Sequence, residues 1–130
     1  MIIDTSAVVA ILNGEPDAAD YARAIATAPI RRMSAATYVE LAAVMERTRD
    51  PVASRHLDDF LARMKVEIMP VTPEQAHIAR RAYWDYGKGS GHKAGLNFGD
   101  CFAYALARYR REPLLFKGDD FVHTDVTPAL

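Results

Sequence analysis

Residues 97–103 read Asn-Phe-Gly-Asp-Cys-Phe-Ala, and this stretch opens a predicted helix around which the rest of the fold can be placed. Apolar side chains recur at helical spacing from its start and predict packing on a core through Phe98, Cys101, Phe102, Ala105, Leu106 and Tyr109. Asp100 lies off this stripe beside small alanines, so a ligand can approach its carboxylate closely. Two interpretations follow: Asp100 complements the helix dipole behind an Asn97 N-cap, or it is a functional acid.

Strand and helix patterns alternate along the whole chain. A short buried strand, Met1-Ile2-Ile3, ends at Asp4 and turns into a helix that closes at Asn13-Gly14. Further helices are predicted from Pro16 to about Ala28, from Ser34 or Thr37 to about Thr48, after the Asp50-Pro51 pair, and from the Thr72-Pro73 pair to Gly87. Strands are predicted over residues 30–33, 66–71 and 113–116. This order predicts an α/β protein of three layers, α/β/α, with a mostly parallel central sheet.

Composition narrows the class of protein. The 130 residues fit one domain spanning residues 1–130, and a net charge of -1 means that any nucleic-acid surface must be a local patch. A single cysteine, Cys101, excludes an internal disulfide and a cysteine-rich zinc site, and we expect a reduced, buried thiol in a cytoplasmic protein. The apolar run from Met1 to Leu12 is short and is interrupted by Asp4, so we expect neither a signal peptide nor a membrane span.

Acids stand where strands end or helices begin. Asp4 ends a buried strand, a position where a carboxylate is unfavourable without a partner and where open α/β sheets bind ligands. Asp119 and Asp120 follow the last strand, where ordinary turn chemistry is the alternative interpretation. Glu40 interrupts an apolar run, and its alternative is a capping box with Thr37.

A divalent cation would offset the repulsion between these carboxylates if they lie close together in the fold. Two carboxylates roughly 5 Å apart repel by about 3 kcal/mol at an effective dielectric constant near 20. Oxygen ligands suit Mg²⁺, with Mn²⁺ able to substitute, and such a site performs phosphodiester hydrolysis. The acids lie far apart in the chain, so their spacing does not show whether they converge.

Four motifs resemble those of PIN-domain ribonucleases, and specifically the VapC toxins of bacterial toxin-antitoxin pairs. They are Asp4-Thr5-Ser6 after Met-Ile-Ile, Glu40 within Tyr-Val-Glu-Leu, residues 97–105, and residues 114–121, which read Leu-Leu-Phe-Lys-Gly-Asp-Asp-Phe. The resemblance spans essentially all 130 residues. It implies a PIN-like fold, in which a parallel sheet lies between helices.

The resemblance also implies roles for individual residues. Asp4 and Asp100 resemble the principal Mg²⁺ ligands, and Glu40 resembles the third acid. Thr5 or Ser6 would support Asp4 by hydrogen bonding, and Ser6 is also a candidate for contact with substrate.

The fourth acid departs from the family's pattern. A T-x-D-x-x-F turn anchored on Phe121 would place Phe116 at the threonine and Gly118 at the acid. Either Asp119 or Asp120 could fill the place, and Asp120 is preferred because it directly precedes the phenylalanine.

The glycine-rich segment before Asp100 suggests a substrate contact. Lys88, His92 and Lys93 are candidates to hold RNA phosphates, and the alternative is a solvated loop with incidental charge. For the aromatic residues Tyr83, Trp84 and Tyr86 we favour core or subunit packing over base stacking. For the arginines we favour solvated faces or antitoxin contacts; these are Arg80, Arg81, Arg110 and Arg111.

The resemblance implies a Mg²⁺-dependent endoribonuclease toxin that cuts RNA, such as tRNA or rRNA, to leave 5′-phosphate and 3′-hydroxyl ends. A VapB-like antitoxin would restrain it and would supply its only link to DNA. An excess of apolar side chains on the third and fourth helices predicts a homodimer or a groove for an antitoxin helix. The alternatives are an inactive antitoxin-binding scaffold and a metal-dependent phosphatase of small molecules.

Overall fold

The computed structural model describes residues 1–47 and 49–130 and contains a four-stranded sheet. The strands are β1 (Ile2–Ile3), β2 (Arg32–Ser34), β3 (Glu67–Met69) and β4 (Leu114–Leu115), in the order β3-β2-β1-β4. All three pairings are parallel. The predicted α/β class with a parallel central sheet is therefore confirmed.

Among the described residues, six helices connect or follow the strands, and two of them begin at a predicted pair of cap and proline. They are α1 (Thr5–Leu12), α2 (Ala18–Thr27), α3 (Ala35–Met45), α4 (Pro51–Arg63), α5 (Pro73–Tyr86) and α6 (Asp100–Arg110). Asp50 and Thr72 cap α4 and α5, each with proline in the first turn. Pro16 lies in a turn, and α2 begins two residues after it. The predicted end of the third helix, at Thr48, lies outside the described residues.

Side-chain alternation along the strands builds a core on each face of the sheet. Ile2 and Leu114 pack with α5 and α6 in one cluster. Ile3, Met33 and Leu115 pack with α1, α2, α3 and α4 in the other. Consecutive residues within β1, and likewise within β4, thus belong to cores on opposite faces of the sheet, which gives the predicted three layers. Within the described ranges, no helix has both the length and the apolar character needed to cross a membrane.

The start of α6 differs from the predicted helix. Residues 98 and 99 form a turn, and the side chain of Phe98 is 75% exposed instead of buried on the stripe. Tyr109, at the other end of the predicted stripe, is also exposed. The helix packs against α5, α3 and the sheet, so its buried surface runs almost around its first two turns and includes Asp100. The periodic pattern alone could not predict this, because it assumes that one face is buried.

The aromatic residues at the end of α5 divide into two groups. Tyr86 packs against the core that contains α6, as predicted. Trp84 is 78% exposed and Tyr83 is 45% exposed, so these two residues do not pack in the core, and the alternative of subunit packing stays a prediction.

Candidate active site

Asp4 stands at the carboxyl end of β1 and caps α1. Its Oδ2 atom accepts hydrogen bonds from the backbone N–H of Ser6 at 3.0 Å and from the Ser6 hydroxyl at 2.6 Å. Burial raises the pKa of Asp4, the Ser6 hydrogen bonds oppose that rise, and the charge of Glu40 adds to it. Thr5 instead donates to the backbone oxygen of Thr37, so of the two hydroxyls considered it is Ser6 that orients Asp4.

Asp100 begins α6 through a reciprocal pair of hydrogen bonds with Asn97. The Asp100 N–H donates to Asn97 Oδ1 at 2.8 Å, and the Asn97 N–H donates to Asp100 Oδ2 at 2.9 Å. Burial raises the pKa of Asp100 to about 7, and the charges of Asp4, Asp120 and Glu40 add to the rise against the Asn97 hydrogen bond. The two interpretations of Asp100 are therefore compatible, because Asn97 Oδ1 accepts from the first N–H of α6 while the Asp100 carboxylate lies near other acids.

Glu40 lies in the middle of α3 and not in a capping box. Ser34 is the N-cap, and its hydroxyl accepts from the Ala36 N–H, so the alternative pairing of Glu40 with Thr37 at a helix start is wrong. The Glu40 carboxylate rests directly on the backbone of Gly99, where an added Cβ would overlap it. Because Gly99 has no side chain, there is room for the Glu40 carboxylate next to Asp100.

Asp119 and Asp120 lie in the turn after β4, and both are exposed. The charge of Asp120 is one of those that raise the pKa of Asp100. The turn is anchored by Phe121, which is buried and packs on Phe116 with ring centroids 5.1 Å apart. This geometry favours Asp120 over Asp119 as the fourth acid, although that choice stays a prediction.

The carboxylate geometry fits a hydrated cation better than a closed protein cage. Asp4 and Asp100 each use Oδ2 for hydrogen bonds, and within the described part of the chain neither Oδ1 atom accepts one. Among the same residues, no three His, Cys, Asp or Glu side chains come close enough to enclose a metal ion. Mg²⁺ keeps several waters and is usually held by one or two carboxylates together with substrate phosphates, so Asp4 and Asp100 fit that cation.

Removing the charge of Asp100 should stabilise the metal-free protein. At pH 8, above its pKa of about 7, the buried carboxylate is charged. Asp100→Asn keeps an oxygen for the Asn97 hydrogen bond, so we expect the free energy of unfolding in EDTA to rise by about 1–3 kcal/mol. Mg²⁺ binds the folded site, so it should raise the Tm of the parent more than that of the variant. Thermal melts in EDTA and in Mg²⁺ measure both effects.

The contrary result is equally clear. If Asp100 only capped its helix, the variant would be slightly less stable in EDTA and would respond to Mg²⁺ as the parent does.

The predicted phosphate contacts lie in the segment between α5 and α6. Backbone hydrogen bonds of 2.9 Å from Lys88 to Leu96 and from Leu96 to Tyr86 close this loop at its base. The Nδ1 atom of His92 accepts from the Ala94 N–H, and the ring packs edge-on against Tyr86. His92 therefore shapes the loop, while Lys88 and Lys93 project from it as exposed side chains. Their contact with substrate stays a prediction.

Two supporting residues escaped the sequence analysis. Gly99 was read as part of a helix start, and no local pattern indicates that it makes room for Glu40. The backbone N–H of Lys117 donates to the Ser6 hydroxyl at 2.9 Å, and its Nζ atom pairs with Asp17 at 2.7 Å and with Glu15. In the sequence, the position of Lys117 just before Asp119 and Asp120 was the one feature that could have indicated its role.

Comparisons with known proteins concern the family and the fold of the whole chain. The family model described as PIN domain matches residues 1–126. Ribonuclease VapC28 of Mycobacterium tuberculosis is 58% identical over 130 residues, which cover 100% of this chain and 98% of that protein. The crystal structure of M. tuberculosis VapC20, described as a sarcin-ricin loop cleaving toxin, aligns with a TM-score of 0.72 at 19% identity over 98% of each chain. A toxin-antitoxin complex from Klebsiella pneumoniae also gives a TM-score of 0.72, at 17% identity over 95% of this chain and 92% of that one. The two structural likenesses show the fold.

Proposed function

Because the chain belongs to the PIN domain family, we propose that it is a cytoplasmic Mg²⁺-dependent endoribonuclease that acts as the toxin of a toxin-antitoxin pair. The observation that carries this proposal is the pair of buried acids, Asp4 and Asp100, whose pKa values are raised by burial and by Glu40. Relatives named as ribonucleases support the choice of RNA as substrate.

The chain's own residues would prepare the site for a phosphodiester. When bound, Mg²⁺ would polarise a phosphoryl oxygen and activate the attacking water. Asp4 and Asp100 would hold the cation, while hydrogen bonds from Ser6 and Asn97 to Oδ2 fix the orientation of the two carboxylates. Without a cation, the negative charge of these acids would disfavour a phosphate at the cleavage position itself.

The antitoxin is the proposed protein partner. A groove of about 250 Å³ beside α1 and α4 is lined by Leu12, His56, Phe60, Arg63 and Met64. An apolar floor with basic side chains suits an amphipathic segment of a VapB-like antitoxin that carries acidic residues. The likeness to a toxin-antitoxin complex supports this partner. The proposal also includes a homodimer of the toxin, and the toxin would contact DNA only through the antitoxin.

RNA cleavage tests the proposal directly. Purified protein incubated with total cellular RNA should give discrete fragments in Mg²⁺ and none in EDTA, and the new ends should be 5′-phosphates and 3′-hydroxyls. Sequencing of the fragment ends would identify the RNA. Intact RNA in Mg²⁺ together with hydrolysis of a small phosphomonoester would favour the phosphatase, and neither activity would favour the inactive scaffold.

A further inference from the structure

One exposed face of α5 combines basic and aromatic side chains. His77, Arg80, Arg81 and Trp84 follow the i, i+3, i+4, i+7 spacing that places residues on one side of a helix. All four are exposed, and together with Tyr83 they line a hollow of about 440 Å³. Trp84 is the chain's one tryptophan, and a large aromatic left 78% exposed among cations indicates a binding surface.

This hollow continues into a second one that reaches the start of α6. The second hollow, of about 330 Å³, is lined by Ala76, Ala79, Arg80, Tyr83, Phe98, Cys101 and Phe102. Arg80 and Tyr83 line both, so the two form one surface, the α5–α6 groove. Phe98 packs edge-to-face on Phe102, with centroids 5.0 Å apart and an interplanar angle of 82°, and it remains 75% exposed. An aromatic ring is thus held in place with most of its surface open.

The groove adjoins the carboxylates and carries an available positive charge. Phe98 precedes Asp100 by two residues, so their Cα atoms are at most about 7 Å apart. Arg81 is paired with Asp85 at 3.0 Å, whereas none of the ion pairs among the described residues uses Arg80. The Arg80 guanidinium can therefore bind a phosphate close to exposed rings.

We propose that the α5–α6 groove binds unpaired RNA beside the cleavage site, which deepens the proposed function and rests on it. One base stacks on Phe98, a neighbouring base stacks on Trp84, and Arg80 binds a phosphate between them. Proteins that hold single strands combine aromatic platforms with cations along the backbone in this way. Protein interfaces also favour Trp, Tyr and Arg, but the adjacency of this groove to a phosphodiester site favours RNA.

Binding measured without cleavage tests the stacking. Fluorescence anisotropy of a labelled 12-nucleotide single-stranded RNA, titrated with the full chain in EDTA, gives the affinity. Phe98→Leu keeps apolar bulk but removes the ring, and it should weaken binding about 5- to 100-fold. Tyr109→Leu, which changes an exposed aromatic at the far end of α6, should bind as the parent does. The fluorescence of Trp84 should be quenched by the single strand and not by a duplex of the same sequence.

Salt dependence separates the phosphate contact from the stacking contact. Arg80→Gln should lower the slope of log affinity against log salt by about one, whereas Phe98→Leu should leave that slope unchanged. Unchanged affinity in both variants, or equal binding of the duplex, would overturn the proposal. So would light scattering in which the parent is a dimer and Trp84→Ala is a monomer, because the groove would then be a subunit interface.

A cleavage assay run in parallel keeps this proposal apart from the function on which it rests. A parent that cleaves RNA in Mg²⁺ while both variants bind normally would overturn the groove alone. A parent that cleaves no RNA would overturn the nuclease.

Discussion

Asp100→Asn and, separately, Asp4→Asn are expected to lower the Mg²⁺-dependent rate of RNA cleavage by at least about 100-fold, because a metal supplies several kcal/mol of charge stabilisation in the transition state. Asparagine matches aspartate in size and keeps one oxygen for the hydrogen bonds from Asn97 or Ser6. Only the charge and one cation ligand are lost, so the fold should survive. The measurement is the initial rate of cleavage in Mg²⁺, with circular dichroism on the same samples.

Asp59→Asn provides the matched control, because Asp59 is an exposed acid on α4 whose charge is not among those that raise the pKa of Asp4 or Asp100. It should cleave RNA at the parent rate. The same assay on Asp119→Asn and Asp120→Asn assigns the fourth acid, and we expect the larger loss from Asp120. Near-normal cleavage by a folded Asp4 or Asp100 variant would remove these residues from the site.

Gly99→Ala should lower cleavage by about 10- to 100-fold without unfolding the protein, because a small displacement of a catalytic group has effects of this size. Gly99 has φ −63° and ψ −43°, a helical conformation that alanine adopts easily. The added Cβ would overlap the Glu40 carboxylate, which must rotate away from Asp100. Glu40 lies at the end of a flexible side chain, so the change should affect the rate of cleavage and leave the melting temperature nearly constant.

A double-mutant cycle shows whether Gly99 acts through Glu40. Gly99→Ala introduced into Glu40→Ala should reduce the rate little further, since no carboxylate remains to be displaced. Additive losses in the two single variants and their combination would mean that the methyl group harms the site in another way. Full activity of Gly99→Ala would show that the position of Glu40 is unimportant for cleavage.

Local signals in the sequence predicted much of the fold. The Thr72-Pro73 and Asp50-Pro51 pairs begin helices as expected, because caps and first-turn prolines act within a few residues. The strand that precedes Asp4 was predicted from another local signal, the short apolar run Met1-Ile2-Ile3. Phe98 was placed wrongly because periodicity does not reveal that a turn precedes α6.

The candidate site depends on contacts that local patterns do not contain. Asp4 and Asp100 lie far apart in the chain, and the sheet and its covering helices bring their charges close enough to interact. Thr37 and Glu40 had the spacing of a capping box, but Ser34 begins the helix three residues earlier. Resemblance to a family supplied what spacing could not, namely which acids to consider together.

The parallel pairing of β1 with β4 links the site to the order in which the chain is synthesised. The Asp4 N–H donates to the backbone oxygen of Leu115, and the Ser6 hydroxyl accepts from Lys117. Contacts of such long sequence separation form late, since the loop that they close must first be ordered. A nascent chain that has not yet released residues 115–117 from the ribosome therefore lacks the partners that fix Asp4. We therefore expect the candidate site to form only after the chain has been synthesised beyond Lys117.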